Sequence, residues 1–113
     1  MGAETFTDYA EGKTADEAFH AAVEDAAYDY GHAGYTGTIA EKGSFVILAK
    51  PNDVSVEDFI HYTISASFAI DEVPEQHRTA ALAANRSVDD KWGPAGCIDL
   101  GGGKFVFFGW ASS

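Results

Sequence analysis

The densest group of residues able to do chemistry is a glycine-rich segment over residues 31–38. It supplies an imidazole, a phenol and two hydroxyls, the polar groups of an anion or ligand loop: His32, Tyr35, Thr36 and Thr38. Phosphate loops, however, run from a strand into a helix N-terminus, whose amides hold the anion. This segment leaves a predicted helix and enters a predicted strand. Two interpretations stay open: a weak ligand-binding site, or a helix cap with a tight turn.

Cys97 is the one cysteine of the chain, and strand alternation places it on the same face as Asp99. A thiol near a histidine can act as a nucleophile, but no signature of a cysteine enzyme surrounds Cys97, and a lone cysteine is commonly a small buried residue. The four histidines lack the close spacing of metal-binding helices, and no Asp-rich calcium loop is present. The sequence predicts no catalytic residue, no metal site and no cofactor.

The net charge of −11 is concentrated at one end of the chain, since residues 1–29 contain eight acids and one lysine. A field of this sign repels phosphate backbones and anionic lipids, so we expect no direct binding to nucleic acid or membrane and instead a basic partner. A charged surface that only keeps the protein soluble is the alternative. The candidate partner-binding carboxylates lie on the first predicted helix: Asp16, Glu17, Glu24, Asp25 and Asp29.

Trp92 stands in a stiff connection with Gly93 and Pro94. Tryptophans are frequent anchors of binding surfaces, so Trp92 is a further weak candidate for partner binding. The alternative is that it caps the core.

Local patterns predict three helices. Thr14 and Glu17 form a capping box that starts the first helix, and Gly31 suits its C-cap. A short helix is favoured over residues 56–67, although the alternation from His61 to Ile70 leaves a strand as the alternative. The third helix starts near Pro74 and buries one stripe of side chains: His77, Ala81, Ala84 and Val88.

Strands are predicted at residues 4–10, near an edge, and in two hairpins, 36–42 with 44–50 and 96–100 with 104–110. The 44–50 strand lacks alternation and is expected to be central. The 104–110 strand is apolar on both faces, so it is either central beside 44–50 or exposes an aromatic surface to a partner. The order β-α-β-β-α-α-β-β predicts one α+β domain over residues 1–113, with an antiparallel sheet of about five strands and two to three helices.

No apolar run reaches the length of about 18–20 residues that a membrane span needs, and the N-terminus lacks a basic segment followed by an apolar one. The expected location is therefore the cytoplasm.

Three segments resemble those of small uncharacterised proteins encoded by phages and actinobacterial genomes: residues 28–42 (YDYGHAGYTGTIAEK), 90–96 (DKWGPAG) and 107–112 (FFGWAS). The similarity spans roughly residues 15–112. It implies a phage or mobile-element setting and no particular activity or site residue.

The leading hypothesis is an accessory protein that binds a basic host protein and inhibits a nucleic-acid-handling or defence complex. The alternatives are a small enzyme or ligand-binding domain using the 31–38 segment, and a homo-oligomeric structural protein using the aromatic strand 104–110.

Overall fold

The computed structural model describes residues 2–31 and 34–113. Within these residues one mixed sheet has four strands: β1 (Ala3–Glu11), β2 (Phe45–Ile47), β3 (Ala95–Gly101) and β4 (Lys104–Ser112). Three α-helices accompany it: α1 (Ala15–Tyr30), α2 (Val56–Ser65) and α3 (Arg78–Val88). The α+β class is confirmed. The predicted sheet of about five antiparallel strands is wrong in detail, because four strands are present and β2 runs parallel to β3.

Strand β4 lies inside the sheet, whose order is β1-β4-β3-β2. Its residues from Phe105 to Gly109 are buried, which confirms the central position expected of a strand that is apolar on both faces. Its neighbours are β1 and β3 rather than the 44–50 segment. The β3–β4 connection is the predicted glycine turn, in which Gly101, Gly102 and Gly103 all adopt positive φ angles that other residues rarely take.

One face of the sheet is covered by α1. Its capping box forms as predicted, with the Glu17 N–H donating to Thr14 Oγ1 at 3.2 Å. Small residues in the buried stripe allow a close approach to the sheet: Ala18, Ala22 and Ala26. Phe19 then fixes the helix, because its ring centroid lies 5.1 Å from that of Phe45 and 5.4 Å from that of Phe107.

The opposite face is covered by α2 and α3, so residues 56–65 are helical and the strand alternative is wrong. Phe59 and Val88 pack there against Phe108. A buried amide joins the two helices, since Asn85 Nδ2 donates to the Thr63 carbonyl at 3.0 Å. The predicted stripe is buried, with Ala81, Ala84 and Val88 on α3 and His77 in the 3-10 turn Glu75–His77 before it. The α-helix therefore begins at Arg78 and not near Pro74.

The predicted hairpin of 36–42 with 44–50 is wrong. The Thr38 hydroxyl accepts from the Ala40 N–H at 3.2 Å, and this local bond favours a 3-10 turn at Ile39–Glu41 over a strand. Only β2 forms in the later segment, and the central position expected of it is wrong, because β2 lies at an edge of the sheet with Ile47 64% exposed. Its unbroken apolar run arises because Phe45 packs against one core and Val46 against the other.

No helix in the described part of the chain is long and apolar enough to cross a membrane.

We predict that Phe107→Ala lowers the free energy of unfolding by about 3–5 kcal/mol, because Phe107 is 0% exposed and its removal leaves a cavity between α1 and the sheet. Urea denaturation measures the change. The matched control is Phe68→Ala, where the ring is 70% exposed and the expected change is within about 0.5 kcal/mol. Equal effects of the two substitutions would contradict the position of β4 at the centre of the core.

Candidate functional site: a groove beside the edge strand β1

The outer edge of β1 carries backbone groups without partners. Gly2 and Ser113 exchange two hydrogen bonds, and the Gly12 N–H donates to the Gly103 carbonyl at 2.9 Å. Because bonded and non-bonded pairs alternate along an antiparallel ladder, the even-numbered residues of β1 bond to β4. The N–H and C=O groups of the odd-numbered residues therefore point away from the sheet, and no strand in residues 2–31 or 34–113 pairs with them: Ala3, Thr5, Thr7, Tyr9 and Glu11.

A groove of about 880 Å³ runs along this edge, with β1 as one wall and α1 as the other. The helix side is formed by residues that project beyond its buried alanine stripe, among them Ala21, Asp25 and Asp29. Thr36 and Thr38 close the groove near the start of β1, and Lys104 and Phe105 lie at the other end. The groove is therefore open and elongated, the shape of an extended chain rather than of a compact small molecule.

The groove is acidic. Five carboxylates line it against a single lysine, Lys104: Glu4, Asp8, Glu11, Asp25 and Asp29. Two of these acids, Asp25 and Asp29, are among the predicted partner-binding residues, whereas Asp16, Glu17 and Glu24 lie on a separate, shallow surface of α1. Glu17 is also occupied within the capping box, where its carboxylate accepts from the Lys13 N–H at 2.9 Å.

Sequence reasoning missed Glu4, Asp8 and Glu11 as parts of this site. Their contribution to the charge of residues 1–29 was visible, but not their position beside α1. The signal that could have found them is the combination of an edge strand with a helix that follows it after a short turn, since such a helix folds back over its own strand.

Asp8 is the unusual member of the acidic set. It lies on the α1 side of the sheet, opposite Phe107 in the ladder, and is half-buried. Burial raises the pKa of its carboxyl above the ordinary value of 3.8, and no charge or hydrogen bond within the described residues offsets this effect. A half-buried carboxylate without a partner destabilises the fold at neutral pH and is a receptive site for a cation.

The structure describes three of the four predicted ligand-loop residues: Thr36 and Thr38 line one end of the groove, and Tyr35 does not. His32 lies outside the described residues. Thr36 Oγ1 lies 2.7 Å from Glu41 Oε2 and 2.8 Å from Thr38 Oγ1, so both hydroxyls are committed to a local network. Burial opposes ionisation of Glu41, but the hydrogen bonds from Thr36 and from the Tyr35 backbone outweigh it and lower the pKa of Glu41.

Trp92 does not cap the core, because 64% of it is exposed. The Tyr35 ring packs on it edge-to-face, with the centroids 6.0 Å apart. The loop that contains Trp92 is held in place by the buried Lys42. The Lys42 Nζ donates to the carbonyls of Asp90, Lys91 and Gly93 at 2.9–3.2 Å. All three ammonium protons are thus used. Trp92 does not line the groove, and its role in partner binding stays a prediction.

Cys97 is buried and faces α1 within the core. Burial, and next the charge of Asp99, raise the pKa of its thiol to about 11. A thiol that stays protonated and inaccessible is a poor nucleophile, so the interpretation as a small core residue is favoured. No group of histidine, cysteine, aspartate and glutamate side chains in the described ranges is arranged to hold a metal ion.

We predict that Asp8→Asn stabilises the protein at neutral pH. The folded pKa of Asp8 is raised, so its contribution favours the fold below pH 3.8 and is lost as the pH rises through the folded pKa. The variant should therefore show a higher thermal midpoint than wild type at neutral pH and no gain below pH 3.8. A lower midpoint at neutral pH would mean that the carboxylate has a stabilising partner.

We predict that the Cys97 thiol of the folded protein resists a disulfide reagent at mildly alkaline pH and reacts fully once guanidinium chloride unfolds the chain, because the thiolate is both scarce and buried. Absorbance of the released chromophore measures the reaction. Rapid labelling of the folded protein would restore Cys97 as a candidate nucleophile.

Comparison of the chain with protein-family models, with curated proteins and with solved structures finds no match in any of the three. Function is therefore inferred from the shape, backbone groups and charge of the groove.

Proposed function

We propose that the protein acts by binding a basic host protein, and that it does so by taking an extended segment of that protein as an additional strand on β1. The observation that carries the proposal is the free edge of a nine-residue strand lying beside a wall of carboxylates. Strand addition obtains affinity from main-chain hydrogen bonds and specificity from the side chains on either side.

The length of the edge suits such binding. Strands of this length are among the longer ones in globular proteins, and most exposed edges are shortened, bulged or protected by lysine or proline. The other edge strand, β2, is three residues long, which is typical of a protected edge. In contrast β1 pairs regularly with β4 from Ala3↔Ser112 to Glu11↔Lys104, with no proline to interrupt it.

The negative charge of the groove determines which kind of partner can bind along β1. A second copy of the chain placed edge to edge on β1 would add its own Glu4, Asp8 and Glu11 to the five carboxylates of the groove, and this concentration of like charge disfavours the contact. Nucleic acid is disfavoured for the same reason. A segment rich in lysine or arginine is attracted, so the acids both exclude self-association through β1 and favour a basic partner.

Basic extended segments are common where proteins hold phosphate backbones. A small acidic protein that sequesters such a segment competes with nucleic acid for it. Together with the resemblance to phage and actinobacterial proteins, this supports the role of an accessory inhibitor of a nucleic-acid-handling or defence complex.

The two other hypotheses have less support. An enzyme or ligand site at residues 31–38 would need free hydroxyls, and those of Thr36 and Thr38 are engaged internally. A structural homo-oligomer built on the aromatic strand would need an exposed β4, but Phe107 and Phe108 are both 0% exposed.

We predict that the Thr7→Pro variant no longer binds the host partner, whereas the matched control Thr7→Val still binds it. The Thr7 N–H points to the open edge, so proline there removes a donor for the incoming strand without breaking the β1–β4 ladder. Valine keeps the donor and suits a strand. Affinity for the captured protein, once purified, should fall about tenfold or more in the proline variant.

Thermal denaturation of both variants establishes that they are folded. Capture should also weaken as salt is raised, because the carboxylates are screened. Support requires a basic protein that binds wild type and Thr7→Val but not Thr7→Pro. Equal capture by the two variants, or no capture by wild type, would contradict binding through the β1 edge.

A further inference from the structure

We infer that the groove recognises an alternating pattern: its partner segment presents lysine or arginine at every second position toward α1, and Asp8 faces the central basic side chain. This inference rests on the proposed function and specifies which basic segments the groove accepts.

The alternation of β1 fixes which side chains of an added strand enter the groove. Phe6 belongs to the core beneath α1, so the even-numbered residues of β1 point toward the helix. The odd-numbered residues, such as Thr5 and Thr7, are exposed on the other face. A neighbouring strand continues the pleat, and only every second side chain of the partner can therefore reach the space between β1 and α1.

The carboxylates on the helix wall match the spacing of those side chains. Asp25 and Asp29 are one turn apart, which corresponds to about 6 Å along the helix axis. Alternate side chains on a strand are separated by about 6.6–6.8 Å. Two successive groove-facing residues of the partner can thus each contact one carboxylate of α1. The carboxylates of Glu4 and Asp8 approach them from the β1 wall of the groove.

On the face of the sheet opposite to α1, different residues of the partner segment are favoured. There the partner's remaining side chains lie beside Thr5, Thr7 and Tyr9, of which Tyr9 is 58% exposed. None of these carries a charge, and β-branched or aromatic neighbours pair well with them. A lysine on this face would gain little, because its only acidic neighbour on β1 is Glu11 at the end of the strand.

Asp8 lets the groove discriminate between basic segments instead of attracting all of them equally. An exposed ion pair contributes little, because water screens both charges, whereas a carboxylate already half-desolvated interacts more strongly with a cation placed beside it. Asp8 has been withdrawn from water without receiving a partner within the described residues, and burial raises the pKa of its carboxyl. The central basic residue of the bound segment would supply that partner.

Two peptides of identical composition test the pattern: VKTKVKTK, with every lysine on one face of a strand, and VKKTVKKT, with the lysines divided between both faces. We expect wild type to bind the first about tenfold more tightly than the second at low salt, by fluorescence anisotropy. Asp8→Asn should remove most of this preference. Glu24→Gln, which removes the same charge from α1 outside the groove, should preserve it.

Amide hydrogen exchange gives a second readout. With the alternating peptide bound, the N–H groups of Thr5, Thr7 and Tyr9 should become protected, since they point to the open edge. Should Asp8→Asn be poorly folded, the double substitution Asp25→Asn with Asp29→Asn serves in its place.

Equal affinity for the two peptides, no binding of either, or an undiminished preference in Asp8→Asn would each overturn the alternating pattern. These outcomes are separate from the test of the proposed function, because capture of a host protein that depends on the Thr7 N–H can succeed whichever pattern the groove prefers.

Discussion

The structure depends on one constraint, which is that β4 must be buried on both faces. A strand with Phe107 on one side and Phe108 on the other is stable only between two layers, and α1 supplies one layer while α2 and α3 supply the other. It must also have a strand on each side to pair its backbone, and β1 and β3 take those places. Pairing along the whole length of β4 keeps β1 extended. The open edge of β1 is therefore a direct result of how the core is built.

The position of α1 turns that edge into a groove. Alanine at three buried positions brings the helix close to the sheet, and the short link from β1 makes it fold back over its own strand. Asp25 and Asp29 then face the edge, while Asp16 and Glu24 face outward. This arrangement lowers the stability of the fold, because Asp8 is half-buried without a partner in the described residues and the outer edge of β1 is unpaired. Charged side chains are one way in which natural proteins disfavour the joining of two exposed edges, and the acids beside β1 are of this kind.

The sequence predicted what is decided locally and missed what is decided by distant pairing. The Thr14 and Glu17 capping box, the glycine turn at 101–103 and the two apolar faces of β4 each depend on neighbouring residues, and each was correct. The partner of Phe45–Ile47 depends on the path of the chain through two helices, and the hairpin expected there was wrong. The prediction of the candidate site divides in the same way. Asp25 and Asp29 were among the candidates named from the charge of the first helix. Asp8 was not, because its position beside α1 depends on how the helix folds back over β1 and not only on the place of residues 4–10 near an edge.

Parts of the segments that carry the resemblance support the start of β1. Their described parts meet beyond the start of β1, where the Gly37 N–H donates to the Ser112 carbonyl at 2.8 Å and Lys42 holds the Trp92 loop. The Lys91 ammonium donates to the Gly2 carbonyl, so the junction also secures the chain at the entrance to β1. Strand β1 itself lies outside the region of resemblance. Asp29 of the first segment nevertheless lines the groove together with the β1 acids, so these segments hold β1 in place and also supply one carboxylate of the groove.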